Sequence, residues 1–70
     1  MNQSRTNVAR MKEVLKSWQG WAVTIVATYE VSGTIVAVSD NLVWLEEPYY
    51  EEMKETVVNI DSISSVTRRK

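Results

Sequence analysis

The sequence predicts a mainly β fold with an N-terminal α-helix, in which five strands form a strongly bent, antiparallel, partly open barrel. Three observations carry this. Apolar residues recur at three- and four-residue steps only near the start of the chain, and five short runs rich in β-branched and aromatic residues follow. The connections between those runs are too short for parallel crossovers, so neighbouring strands must run antiparallel.

The helix is expected over about residues 6–18. Val8, Met11, Val14 or Leu15, and Trp18 form its apolar stripe, with Arg10, Lys12, Glu13, Lys16 and Ser17 largely between them. Ser4 or Thr6 can cap its start, and Gly20 stands where a helix commonly ends in the left-handed region.

The first strand is expected over about 21–27, with Trp21, Val23 and Ile25 on one face. The second, about 28–38, continues an apolar face through Tyr29, Val31, Ile35 and Ala37, and Gly33 interrupts it where a bulge or bend is needed. Ser39-Asp40-Asn41 is a turn signal, and the third strand, about 42–47, is apolar on both faces. Pro48 then marks a loop carrying Tyr49 and Tyr50. A fourth strand is expected over about 52–60, a tight turn at Asp61-Ser62, and a fifth strand over about 62–67. Residues 1–70 make one domain, with no repeat or linker.

A chain of 70 residues has a thin core, and small domains often compensate with disulfides, metals or oligomerisation. Cys and His are both absent, which removes disulfides, thiolate metal sites and the commonest transition-metal ligand. Assembly is the remaining compensation. No metal site, cofactor or catalytic residue is expected: no serine has a histidine to activate it, Gly20 and Gly33 stand alone, and Glu46-Glu47 and Glu51-Glu52 are sequence neighbours that point apart. The chain reads as a binding or assembling protein, not an enzyme. No stretch is long and apolar enough to span a membrane, and the first 16 residues lack the apolar core of a secretory signal, so a cytoplasmic location is expected.

Charge is unevenly spread. Residues 1–16 carry a net +3 and the final Arg68-Arg69-Lys70 another +3, whereas residues 17–67 carry −7. The basic helix residues Arg10, Lys12 and Lys16 are therefore the natural candidates for phosphate contacts. Trp18, Trp21 and Trp44 are expected in a core or interface, and Tyr49 and Tyr50 in solvent.

The order of a helix and five strands, with a bend in the second, resembles the Sm and Sm-like proteins. Gly33-Thr-Ile-Val-Ala-Val-Ser-Asp-Asn-Leu-Val-Trp-Leu45 looks like the first Sm motif, and Val58-Asn-Ile-Asp-Ser-Ile-Ser-Ser-Val66 is similar to the second, particularly in its bacterial Hfq-like and phage forms. The resemblance covers about residues 7–67. It implies a homo-oligomeric ring of about five to seven copies, closed by pairing the fourth strand of one subunit with the fifth of the next. Val57, Val58, Ile60, Ile63 and Ser65 would then form the subunit interface. It also implies binding of single-stranded RNA at the pore by the two inter-strand turns, here Ser39, Asp40 and Asn41 with Asp61 and Ser62. The family's basic residues in the second turn are replaced by Asp61, which disfavours phosphate. The alternative is a ring used for structure or protein docking without RNA, of a kind a phage could encode.

Overall fold

The computed structural model describes residues 3–69. An α-helix, α1 (Gln3–Ser17), is followed by β1 (Ala22–Val26), β2 (Glu30–Ser39), β3 (Leu42–Tyr49), β4 (Glu52–Asn59), a single 3-10 turn η1 (Ile60–Ser62) and β5 (Ser65–Arg68). The five strands form one antiparallel sheet in the order β4-β3-β2-β1-β5. It is not closed into a barrel: β4 and β5 are the two outer strands, each bonded on one side only.

The core lies between the inner face of the sheet and α1. Leu15 of the helix is fully buried with Val23, Ile25, Ile35, Val43, Leu45, Val58 and Ile60, while Met11 and Trp18 pack at its margin. Four residues separate Leu15 from Met11 and three separate it from Trp18, so all fall on one helix face, as the spacing predicts. Val8, predicted on that face, has a side chain outside the described residues. Ser4 and Thr6, expected to cap its start, fall within α1, and their side chains lie outside the described residues. Gly20 ends it with φ +91°, in the region that favours glycine, and its N–H donates to the Ile35 carbonyl at 2.7 Å. The helix end is thereby tied to the middle of β2.

Strand 2 changes face where the sheet bends. Val31 and Ile35 point inward, the pairing with β3 then slips between Ile35 and Ala37, and beyond it Val38 packs on the core in place of Ala37. The extra residue, Val36, has its carbonyl bonded by the Gln19 side-chain amide at 3.1 Å. Gly33 lies ahead of the bulge and serves a different need. A Cβ there would stand 3.0 Å from the Glu46 carbonyl oxygen, so β3 crosses too close for a side chain.

Three predicted boundaries are corrected. Tyr29 lies in the bend between β1 and β2 and is exposed, because Ala27 N–H bonds back to the Tyr29 carbonyl and ends the β1 ladder. Pro48 does not break β3. Leu45 and Glu47 bond toward β4 in the alternation set by the Ile60 N–H to Asn41 carbonyl bond, so the proline nitrogen faces the other side, and β2 pairing ends at Glu46. The third and fourth strands therefore continue as a two-stranded arm through Glu47, Pro48 and Tyr49. The expected turn at Asp61-Ser62 is the 3-10 turn η1, which delays the fifth strand from about 62 to Ser65.

Candidate functional site

The two turns expected to act together are joined in the structure. Asp40 adopts φ +54°, a left-handed conformation that Asp tolerates better than most residues, and this closes the β2–β3 turn. The next residue, Asn41, accepts a 2.7 Å hydrogen bond from the N–H of Ile60 at the start of η1. The 3-10 turn is itself capped: the Asn59 side-chain oxygen accepts from Asp61 N–H at 2.9 Å, and Ser62 Oγ donates to the Asn59 carbonyl at 2.8 Å. Ile60 is buried beneath this arrangement. Ser39, Asp40, Asn41, Asp61 and Ser62 thus share one exposed end of the β3–β4 ladder, where Asn41 is bonded to Ile60 and both Asp61 and Ser62 are bonded to Asn59. The electrostatic content is two carboxylates and no cation among these five residues.

The basic helix residues divide. Arg10 overhangs a groove of about 650 Å³ between α1 and the η1–β5 segment, with Asp61 on the opposite wall and Met11, Val14, Trp18 and Val66 as its apolar lining. Lys12 is half-buried and Lys16 is exposed in the last turn, and neither lines that groove. The reason is helical geometry: Lys12 and Lys16 are four residues apart and share a face, whereas Arg10 is two residues from Lys12 and faces away from it.

The expected interface residues also divide. Val57 is 42% exposed on β4, and Ile63 and Ser65 border the groove. Val58 and Ile60 are buried in the chain's own core, and the Ile60 N–H to Asn41 bond sets a ladder in which the backbone of both turns toward β3 and not toward the open edge.

A further cluster was not foreseen from the sequence, where the fifth strand is expected to end at about residue 67, before Arg68. Arg68 belongs to β5, on the same face as the half-buried Val66. Its guanidinium lies 4.4 Å from the Trp21 ring centre and 5.4 Å from that of Trp18. Arg69 N–H donates to the Ala22 carbonyl at 2.8 Å. The basic end is therefore docked beside the helix C-terminus as far as Arg69, and Lys70 lies outside the described residues. The signal in the sequence was the two-residue spacing between Val66 and Arg68. Trp21 remains 47% exposed and is not the core residue its alternation with Val23 suggests.

At the arm, Tyr49 and Tyr50 meet edge to face with ring centres 4.6 Å apart, and the Lys54 ammonium lies 5.7 Å from the Tyr49 ring centre. Tyr50 is 90% exposed. Among the described residues, no group of three or more acidic side chains is placed to hold a metal ion. Among the described residues, no helix is long and apolar enough to cross a membrane. The chain matches no protein-family model, no curated protein and no solved structure.

Proposed function

We propose that this chain is the subunit of an Sm-like homo-oligomeric ring that binds single-stranded RNA. The observation that carries the reading is the sheet itself. Its order, β4-β3-β2-β1-β5, leaves two unpaired edges, each a row of backbone donors and acceptors that a second copy can satisfy. One repeated head-to-tail contact uses both edges of every copy and closes when the rotation between neighbours divides a full turn. A 70-residue chain has reason to assemble this way, since its own core is small.

Support for the RNA part comes from the joined turns. Asn41 is exposed beside Asp61 and Ser62, and in a ring these residues recur once per subunit around a common axis. Arg10, at the mouth of the adjacent groove, supplies the cation that the turns lack. A specific observation also favours the docking alternative: Asp40 and Asp61 are both exposed, and a ring multiplies their repulsion of phosphate.

Native mass spectrometry tests the first part, with a closed species of five to seven copies expected. Fluorescence anisotropy with short U-rich and A-rich RNA, titrated with salt, tests the second. Binding that weakens as salt rises supports RNA recognition through phosphates. A ring that binds neither RNA at low salt is a docking module, and a chain that stays monomeric at micromolar concentration is not an Sm-like ring.

A further inference from the structure

Beyond Glu46, where β2 pairing ends, β3 and β4 run on as an arm with no third strand beside it. Residues level with each other across the pair project to the same side. Glu47, Tyr49, Glu52 and Lys54 therefore share one face of the arm, the side that carries the core farther down at Leu45 and Val58. At the arm this face lies open, and Tyr49 is 55% exposed. Tyr50, at the tip, adopts φ +60°, a region that a bulky side chain enters only at a cost. Its ring is 90% exposed, so it adds little to the packing of the fold. A strained backbone position that holds a large ring in solvent points to a use for that ring outside the chain.

The charge around the two rings selects what they can meet. Residues 46–55 hold five carboxylates, Glu46, Glu47, Glu51, Glu52 and Glu55, against the one cation Lys54, a net of −4. Lys54 already lies 5.7 Å from the Tyr49 ring centre, so this ring takes a cation where it stands. Beside it a hollow of about 390 Å³ is bounded by Tyr49, Glu52, Met53 and Lys54. Nucleobases could stack on the rings, but their phosphates would enter a field of carboxylates. Arginine suits both features. Its planar guanidinium stacks on an aromatic face and forks onto a carboxylate, and Met53 offers an apolar wall to its stem.

We infer that the arm is a docking surface for an extended, arginine-rich segment of a protein partner, with guanidinium groups against Tyr49 and Tyr50 and beside Glu47 and Glu52. The spacing suits an extended segment. Every second side chain of such a chain falls on one side, roughly 7 Å apart, and Glu47 and Tyr49 on β3 repeat at the same interval. Arginines at alternate positions would each meet one of these groups. The inference goes beyond the RNA reading and does not rest on it. The arm stands at the far end of β3 from Asn41, so the two surfaces can be occupied independently.

Fluorescence anisotropy of the labelled peptide Arg-Ser-Arg-Ser-Arg-Ser-Arg against the whole chain tests this. Tyr50→Gly removes the ring and suits the positive φ, so the variant should fold as the parent does, which circular dichroism checks. Its affinity for the peptide is expected to fall about fivefold, the scale of one exposed cation–π contact, and Tyr50→Phe should restore it. Glu47→Gln combined with Glu52→Gln should weaken binding and flatten its salt dependence. A peptide that does not bind at low salt, or that binds Tyr50→Gly as well as the parent, overturns the docking surface. So does a short U-rich or A-rich RNA that binds the parent more tightly than the peptide and is weakened by Tyr50→Gly, since the rings would then stack bases. A native mass that falls with Tyr50→Gly makes a second copy the occupant and overturns it too. A monomeric parent that binds the peptide through Tyr50 supports the docking surface while removing the ring.

Discussion

Replacing Gly33 by alanine isolates the closest backbone approach in the sheet. The new methyl would lie 3.0 Å from the Glu46 carbonyl oxygen, 3.3 Å from Leu45 Cβ and 3.4 Å from the Glu46 carbonyl carbon. None of these atoms is the end of a flexible side chain. Glu46 stands in register between Thr34 of β2 on one side and Glu55 of β4 on the other, and Leu45 is 1% exposed, so neither can move alone. Forcing a methyl into such a place costs roughly 1–3 kcal/mol. Against this, alanine restricts the unfolded chain and returns about 0.5 kcal/mol. The net loss is about 1.5 kcal/mol, and at about 4–8 °C per kcal/mol for a domain of this size the midpoint should fall by roughly 10 °C. Thermal melts followed by circular dichroism measure it, with variant and parent at one protein concentration so that any self-association weighs equally on both. Gly20→Ala is the companion: nothing lies within 4 Å of its Cβ, so any loss there comes from φ +91° alone. A Gly33→Ala protein that melts at or above the parent temperature would refute the close-approach argument.

Leu15→Ala should cost about 3 kcal/mol, because it empties a fully buried site that joins the helix to the sheet; a urea titration reads it as a lower midpoint. Asn59→Ala removes the acceptor for Asp61 N–H and should lower stability by about 1 kcal/mol while loosening the exposed turn, visible as faster amide exchange at Asp61. Arg68→Ala should cost about 1 kcal/mol by removing the cation over two indoles, and tryptophan emission should change in the folded protein; unchanged emission would contradict the stacking. If RNA binds, Arg10→Glu should weaken it and flatten the salt dependence, whereas Lys16→Glu should do less, since Lys16 lies away from the groove.

The helix and its apolar face were legible because burial on one side of a helix leaves a regular trace, and Met11, Leu15 and Trp18 follow it. So were the five strands and the turn at Asp40-Asn41. What misled was punctuation read without topology. Pro48 signals a loop unless one knows that β2 has already ended beside it, which leaves the missing N–H without consequence. Asp61-Ser62 reads as a two-residue turn, and only the Asn59 cap and the buried Ile60 make it a 3-10 turn. The alternation of Val31, Ile35 and Ala37 fails at the last of these because one extra residue, invisible to a period-two count, reverses the face. Within the candidate site, the two turns were found from their residue types. Their connection through Ile60 and Asn41, and the place of Arg68 on the indoles, depend on contacts between distant parts of the chain.

The arm formed where β3 and β4 outrun β2 is held by one ladder alone, from Glu47↔Lys54 through Pro48↔Met53 to Tyr49↔Glu52. Its length is therefore decoupled from everything beneath it. Two residues added to or removed from each side of the Tyr50-Glu51 turn would lengthen or shorten the arm without altering any register in the sheet. Relatives of this chain should vary most there, and an engineer wishing to graft a peptide onto the domain should insert it between those two residues.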